Sequence, residues 1–422
     1  MSDRNKIKDN CFALPKGINW CPMDVALKTL EENLNTVCQK KKISSLTSEG
    51  CILAKPINAA VSNPNFSNSA VDGFGFGGPA FEGLNKFSLI SGTAFAGKPF
   101  GEEIPEFHAI EIMTGAALPP GVDTIVLNED VHLDNKSITF SGKLKKGSNV
   151  RLVGEDVQEG DLLFEIGHRL RPQDLALLVA AGVKTVTVYK PLRVGILSTG
   201  NEILDSSLSN KSDLKKSMIF DSNRPLLSSL ISKWGCEVID IGLEIDDLKK
   251  IRQKMDLAAE KCDVLLTSGG ASAGNADYLS KLIKEEGELY NWRIAVKPGR
   301  PLAMGVWKGM PVFGLPGNPV AAYVCTLIFF YPAMSRMAGS GWLEPQAFQM
   351  LANFQKTKLA GRREFLRARV NDLGQVEVFK SEGSGRISGL SWSHGLVELP
   401  DEALEIKKGD QVKYIPYSSF GI

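Results

Sequence analysis

The segment Thr267-Ser268-Gly269-Gly270-Ala271-Ser272-Ala273-Gly274, with Asp277 three residues further on, has the composition of an anion site. Glycines let the backbone turn sharply and leave its N–H groups open to a ligand. Successive N–H groups in such a turn form a concavity that holds an anion. Thr267, Ser268 and Ser272 add neutral hydroxyl donors, and Asp277 places a carboxylate beside the anion. That last feature is useful when a divalent cation or a proton transfer takes part. A lone Gly-Gly turn is more often a bare strand-to-helix connection. Here further loops of similar chemistry weigh against that reading.

Ser198-Thr199-Gly200-Asn201-Glu202 and Gly314-Leu315-Pro316-Gly317-Asn318-Pro319 each follow an apolar run, as the Thr267 segment does. Lys297-Pro298-Gly299-Arg300-Pro301 supplies two cations, Lys297 as a point charge and Arg300 as a bidentate fork for anionic oxygens. Asp72, Asp156, Glu202, Asp246 and Asp277 are acids on glycine-rich loops. Acids beside phosphate-binding loops suit Mg²⁺, which takes one or two carboxylates together with phosphate oxygens and water. Any one of these acids taken alone is as easily a turn former or a helix cap. As a set they indicate an enzyme acting on a phosphorylated, nucleotide-linked small molecule, with phosphoanhydride cleavage or transfer driven by positioning and charge neutralisation. No Ser-His-Asp or Cys-His arrangement is evident.

The elements around these loops follow from pattern. From Pro191 onward, buried strands (192–197, 237–241, 263–266, 311–313) alternate with helices (about 224–234, 248–261, and an apolar helix after Pro319). This alternation implies a mostly parallel sheet with helices on both faces, and such sheets bind ligands beyond the carboxyl ends of their strands. The Ser198, Asp246, Thr267, Lys297 and Leu315 loops all fall at those ends. Residues 47–144 read as a β-rich domain, with short strands near 86–90, 109–113 and 124–127 between Gly and Pro. That domain is inserted into an elongated N-terminal domain made of 1–46 and 145–190, in which 145–190 is expected to pack with a helix near 22–37. The α/β domain spans 191–340, and a small β domain 341–422.

Composition bounds the function class. A chain of 422 residues exceeds one ordinary core. Net charge is +1 with both signs well mixed, so neither a nucleic acid nor a membrane surface is the expected partner. Seven scattered cysteines with no C-x-x-C pair argue for a reducing, cytoplasmic setting. Four isolated histidines form no metal motif, and the polar N-terminus carries no signal peptide pattern. The apolar run Val320 to Met334 is short of the roughly 20 residues that span a bilayer, so it reads as a buried helix despite Pro332.

In order along the chain, Asn68-Ser69-Ala70-Val71-Asp72-Gly73-Phe74, Met113-Thr114-Gly115-Ala116, Gly154-Glu155-Asp156, the Ser198 to Glu202 segment, the Thr267 to Gly274 segment with Asp277, Lys297 to Pro301 and Gly314 to Val320 resemble the signature series of the molybdopterin molybdenumtransferases, the family that includes the E domain of gephyrin. The resemblance runs from about Pro22 to the C-terminus, where Gly383-Ser384-Gly385 to Pro400 is similar to the family's last domain. It implies an elongated four-domain subunit that forms a homodimer. It implies conversion of adenylylated molybdopterin and molybdate to molybdenum cofactor, with AMP released and Mg²⁺ assisting. On matching positions, Asp72, Thr114, Asp156, Glu202, Asp246 and Asp277 would line the active site, with Glu202 and Asp277 on the metal. Thr267, Ser268, Gly269, Gly270, Ser272 and Gly274, with Pro316, Gly317 and Asn318, would hold the pterin nucleotide. Lys297, Arg300, Arg367 and Ser384 would hold molybdate or phosphate. Contact with the molybdopterin adenylyltransferase is a further expectation.

The chain departs from the family pattern at a few positions. Arg300 stands in place of a second Lys, Ala271 and Ala273 in place of valines, Phe74 in place of a common Tyr, Asn201 where Asp is frequent, and Ala321 where Ser is common. Three other readings compete, one of them a deamidase-type relative with the same central domain, which would not explain residues 46–140. A molybdopterin adenylyltransferase would share the α/β domain, but its loop usually reads Gly-Gly-Thr-Gly followed by an Arg-Asp pair, which is absent here. A non-catalytic gephyrin-like scaffold would not need the full set of carboxylates.

Overall fold

The computed structural model describes residues 21–205, 207, 214, 217–269, 278–299, 301–383 and 385–422. The chain forms two compact units. Among the described residues, one comprises 21–41 with Gly50–Ala54 and 188–422, and the other Lys42–Glu49 with Lys55–Thr187.

The larger unit is built on a six-stranded sheet. Its strands are β1 (Arg193–Thr199), β2 (Glu237–Glu244), β3 (Val264–Ser268), β4 (Glu288–Arg293), β5 (Pro301–Trp307) and β6 (Met310–Leu315), in the spatial order β2-β1-β3-β6-β5-β4. β2, β1, β3 and β6 run parallel, while β5 lies antiparallel to both β6 and β4. The carboxyl ends of β1, β2, β3, β4 and β6 therefore share one edge.

Side-chain alternation covers both faces of this sheet, as strands buried on two sides require. Val194, Ile196, Val264, Leu266, Phe313 and Leu315 pack with helix α1 (Asn223–Lys233) and with the apolar helix Pro319–Ala338. Leu197, Leu265 and Val312 pack against α2 (Leu248–Lys261) and α3 (Tyr278–Glu286), through Met255, Ala258, Leu282 and Ile283. Between Val194 and Ile196, Gly195 leaves room for Cys262, whose Sγ would lie 2.8 Å from an added Cβ.

The helix Pro319–Ala338 is longer than its apolar core run. By length and composition it could cross a membrane, yet it is a core helix with nearly every side chain buried. Pro332 has no N–H to continue the ladder, and the preceding stretch Thr326–Phe330 loosens into a π-helical turn. The first described helix, Met23–Asn33, buries Met23, Ala26 and Leu30 in the same core, and residues 189 and 190 hydrogen-bond to Ile52 and Gln39.

A second six-stranded sheet, rich in antiparallel pairs, closes the larger unit. Its main path runs Val296–Lys297, Arg363–Val370, Gly395–Leu399, Gln411–Pro416, Phe348–Leu351, with Val376–Val378 beside Arg363–Val370. The tail is tied back where Trp234 Nε1 donates to Phe420 O at 2.6 Å. No disulfide joins the six described cysteines.

The smaller unit carries a sheet of Thr124–Leu127, Gly73–Phe76, His108–Ile112, Leu84–Ala94, Ser137–Ser141 and His132–Leu133, in that order. Phe76, Phe87 and Phe140 form its aromatic core, with Phe76 and Phe87 centroids 4.4 Å apart. The segment after residue 145 returns to this unit. Leu162–Phe164 pairs with Ile57–Asn58, and the helix Pro172–Ala180 follows.

Candidate active site

The edge of the central sheet is assembled by register. Ser198 of β1 pairs with Ser268 of β3, and Ser268 with Leu315 of β6, so three loops leave the sheet at one level. Gly269 has φ +87°, and an added Cβ would lie 2.6 Å from Thr199 O. Only glycine fits both the turn and the neighbouring strand end. Gly317 lies beside this turn, where a Cβ would sit 3.9 Å from Gly269 Cα, in ordinary contact. Asn318 caps the apolar helix, its Oδ1 accepting from Val320 N at 3.1 Å and Ala321 N at 3.4 Å. Ser198 Oγ and Thr267 Oγ1 are buried hydroxyls with no hydrogen-bond partner. Buried polar atoms of that kind are uncommon without a ligand or solvent to satisfy them.

Carboxylates stand beside these loops. Gly200 N donates to Glu244 O at 3.2 Å, and Asp246 N donates to Asn201 Oδ1 at 3.1 Å, so the loops after β1 and β2 are tied together. An Asn at position 201 accepts this bond as an Asp would. Glu202 Oε2 turns back to within 3.0 Å of where a Gly200 Cβ would be. Burial raises the Asp246 carboxyl above its usual range; the Asn201 contact opposes this and the negative charge of Glu202 adds to it. Two mutually repelling carboxylates, one of them desolvated, suit Mg²⁺, whose remaining ligands are substrate oxygens and water. Among the described residues no group of three or more His, Cys, Asp or Glu side chains forms a complete protein cage for a metal.

Lys297 occupies a different setting from that of a simple loop cation. The short strand Val296–Lys297 pairs in parallel with Arg363 and Glu364, joining the connection between β4 and β5 to the second sheet. Its Nζ lies 2.9 Å from Glu382 and 3.4 Å from Glu364. Lys356 Nζ reaches the same two acids, 3.3 Å from Glu364. Burial opposes the Lys297 charge, but the two glutamates outweigh it and raise its pKa above the ordinary lysine value. These four side chains line a pocket of about 270 Å³ with Pro298, Arg367 and Ser381. Arg367 is 5% exposed, stacks on Phe379 and gives its guanidinium protons to the carbonyls of Ser381, Gly383 and Arg386. It therefore holds the loop that carries Glu382. Gly270, Ser272, Gly274, Asp277, Arg300 and Ser384 lie outside the described residues.

In the smaller unit, Asp72 Oδ1 accepts from both Thr114 N at 2.7 Å and Thr114 Oγ1 at 2.8 Å. These two bonds hold the Asp72 carboxyl below its usual pKa. Asp156 Oδ2 accepts from Asn63 Nδ2 at 2.9 Å. The loops bearing these residues are interlaced, with Gly115 N on Ser69 O, Ala70 N on Asn149 O, and Asp156 N on Asn63 O.

Several residues that organise the site carry no motif. Asn223, the first residue of α1, donates to Ser268 Oγ at 2.6 Å and Gly317 O at 2.7 Å. Asp221 caps α1, accepting from the N–H groups of Asn223 and Arg224. Arg224 pairs with Asp205 beyond β1 and with Asp240 of β2 at 2.9 Å. Lys356 and Glu364 lie in a segment whose only local signal is β-strand alternation, and Glu382 is a loop acid before Gly383.

Residues 21–182 match the MoeA N-terminal region (domain I and II), residues 195–336 a probable molybdopterin binding domain, and residues 351–417 the MoeA C-terminal region (domain IV). A molybdopterin molybdenumtransferase from Haemophilus influenzae is 34% identical over 402 residues, which is 94% of this chain and 98% of that protein. One from Staphylococcus aureus is 30% identical over 373 residues, covering 86% of this chain and 88% of the relative. The crystal structure of a molybdopterin biosynthesis MoeA protein from Pyrococcus horikoshii OT3 superposes with a TM-score of 0.82 at 27% identity, covering 94% of this chain and 100% of its own. Matched over nearly its whole length, the chain belongs to the molybdopterin molybdenumtransferase (MoeA) family.

Proposed function

We propose that the chain inserts molybdenum from molybdate into adenylylated molybdopterin, releasing AMP and forming molybdenum cofactor. It is a transferase of molybdenum cofactor biosynthesis, as its family membership implies. The observation that carries the site assignment is the single sheet edge on which the Ser198, Thr267 and Pro316 loops meet beside Glu202 and Asp246. There the glycine turn that follows Ser268 would offer N–H donors to the phosphates of the pterin nucleotide. The orphaned hydroxyls of Ser198 and Thr267 favour a polar ligand over this edge.

Glu202 and Asp246, with Asp277, would hold Mg²⁺, which when bound neutralises charge on the departing phosphate. Lys297 and Arg300 would bind the molybdate oxygens. Asp72 with Thr114, and Asp156, would complete the active site within a homodimer. Substrate delivery would involve contact with the molybdopterin adenylyltransferase in the cytoplasm. A division into four domains, with boundaries near 46, 145, 191 and 341, completes this reading.

The test is turnover of adenylylated molybdopterin by the purified chain with Mg²⁺, with and without molybdate, following AMP and active cofactor. Molybdate-dependent AMP release with cofactor formation is expected. Activity confined to ATP plus free molybdopterin, or binding with no turnover, would overturn the proposal.

A further inference from the structure

The pocket at Lys297 contains two acids that are held differently. Glu364 lies on a strand, 8% exposed, fixed by pairing to Lys297 on one side and Leu399 on the other. Glu382 lies between the strand Val376–Val378 and the helix Ser388–Trp392, with a side chain 48% exposed. Its two oxygens are divided between two ammonium groups, Oε2 on Lys297 at 2.9 Å and Oε1 on Lys356. The Lys356 side chain is only 9% exposed, and a buried ammonium is costly without a counter-charge. Two lysines and two glutamates leave the cluster neutral. With Glu382 turned out, the cluster carries a net positive charge, with two ammonium groups facing the vacated volume.

We propose that Glu382 is a displaceable occupant of the oxyanion pocket, its carboxylate holding Lys297 and Lys356 until molybdate oxygens take its place, and that Lys356 is a second cation for the oxyanion. This rests on the reading that Lys297 binds molybdate. Glu364 stays as the fixed counter-charge, because its side chain is 10% exposed and has no solvent to turn into, whereas Glu382 leaves by side-chain rotation into solvent. Molybdate then binds only the fraction of molecules in which the carboxylate is out, which lowers its apparent affinity by that fraction. Glu382 thereby sets the oxyanion concentration at which the enzyme fills.

The experiment is molybdate titration of the full chain by calorimetry, without pterin substrate, on the wild type and on Glu382→Gln, Glu382→Asp, Lys356→Met and Lys297→Ala. Glu382→Gln should bind molybdate about tenfold more tightly, the gain expected when a competitor occupying the site nine-tenths of the time is removed. Glu382→Asp keeps the charge but is one methylene short of bridging both lysines, so it too should bind more tightly. Lys356→Met should bind more weakly, and adding Glu382→Gln to it should restore little. Unchanged molybdate binding by Lys297→Ala would overturn the assignment of Lys297 itself. Weaker binding by Lys297→Ala together with wild-type or weaker binding by Glu382→Gln would overturn displacement alone. Tightening by Glu382→Gln but not by Glu382→Asp would reduce Glu382 to a distant field effect and likewise overturn it. Glu382 is half-exposed, so these two variants fold even if Lys356→Met does not.

Discussion

Asn223, at the start of α1, donates to Ser268 Oγ at the end of β3, 2.6 Å away and 45 residues along the chain. The same amide nitrogen donates to Gly317 O at 2.7 Å, so one side chain sets the spacing of two ligand loops. Asn223→Ala leaves a buried carbonyl and a buried hydroxyl without this donor, at a cost of about 1–3 kcal/mol. Denaturant unfolding should register that loss, and the KM for adenylylated molybdopterin should rise more than kcat falls. Wild-type stability and KM would remove Asn223 from this role.

Gly269→Ala should be damaging for a local reason. The added methyl would meet Thr199 O at 2.6 Å on a backbone with φ +87°. Such strain costs about 1–3 kcal/mol, and the loop relieves it by shifting away from the sheet edge. Nucleotide binding by fluorescence or calorimetry should weaken more than the melting temperature falls.

Asp246 carries a raised pKa from burial and from the neighbouring Glu202 charge. A carboxyl raised on folding contributes stability that is fully present below its unfolded pKa of about 3.9 and lost as pH rises through the folded value. At neutral pH, Asp246→Asn should therefore fold at least as stably as the wild type while turning over far more slowly. Mg²⁺ should raise the melting temperature of the wild type and lose that effect in Asp246→Asn and Glu202→Gln. An equal Mg²⁺ shift in all three proteins would place the cation elsewhere.

Asp72 accepts two bonds from Thr114, which keep it ionised well below neutrality. Asp72→Asn and Thr114→Val should each lower kcat by about tenfold or more if the pair orients a reacting group. Both should keep the wild-type melting temperature, because the pair is solvent-facing. The wild-type pH–rate profile should show no ionisation of Asp72 above pH 4.

Asp174 tests stability of the smaller unit apart from chemistry. Its carboxylate is buried and accepts from His168 Nε2 at 2.7 Å, Arg171 N at 2.9 Å and the Arg171 guanidinium. Burial opposes ionisation, but the Arg171 and His168 bonds outweigh it and lower the pKa strongly. Its contribution is present above the unfolded pKa of about 3.9 and lost as pH falls through the folded value. Asp174→Ala should cost about 2–4 kcal/mol at pH 7 and much less at pH 2, read by thermal unfolding.

The local parts of the fold were legible in residue type and spacing. Alternation of apolar runs with helices placed β1, β3 and β6, and glycine after Thr-Ser or Ser-Thr marked where their loops turn. Asn318 before Pro319 marked a helix start, and the structure places its side chain on the first-turn N–H groups. Those features depend on backbone preferences within a few residues, which residue type states directly. Tertiary structure decided the partners. Lys297 meets Glu364 because a two-residue parallel pairing joins segments 67 residues apart. Asp246 meets Asn201 across 45 residues, and Asp72 meets Thr114 across 42. No local propensity encodes such pairs. They follow from strand register and from packing both faces of a sheet, which every distant segment settles together. Glu382 shows the same division: in sequence it is one acid in a loop, and only the folded chain places it between two lysines.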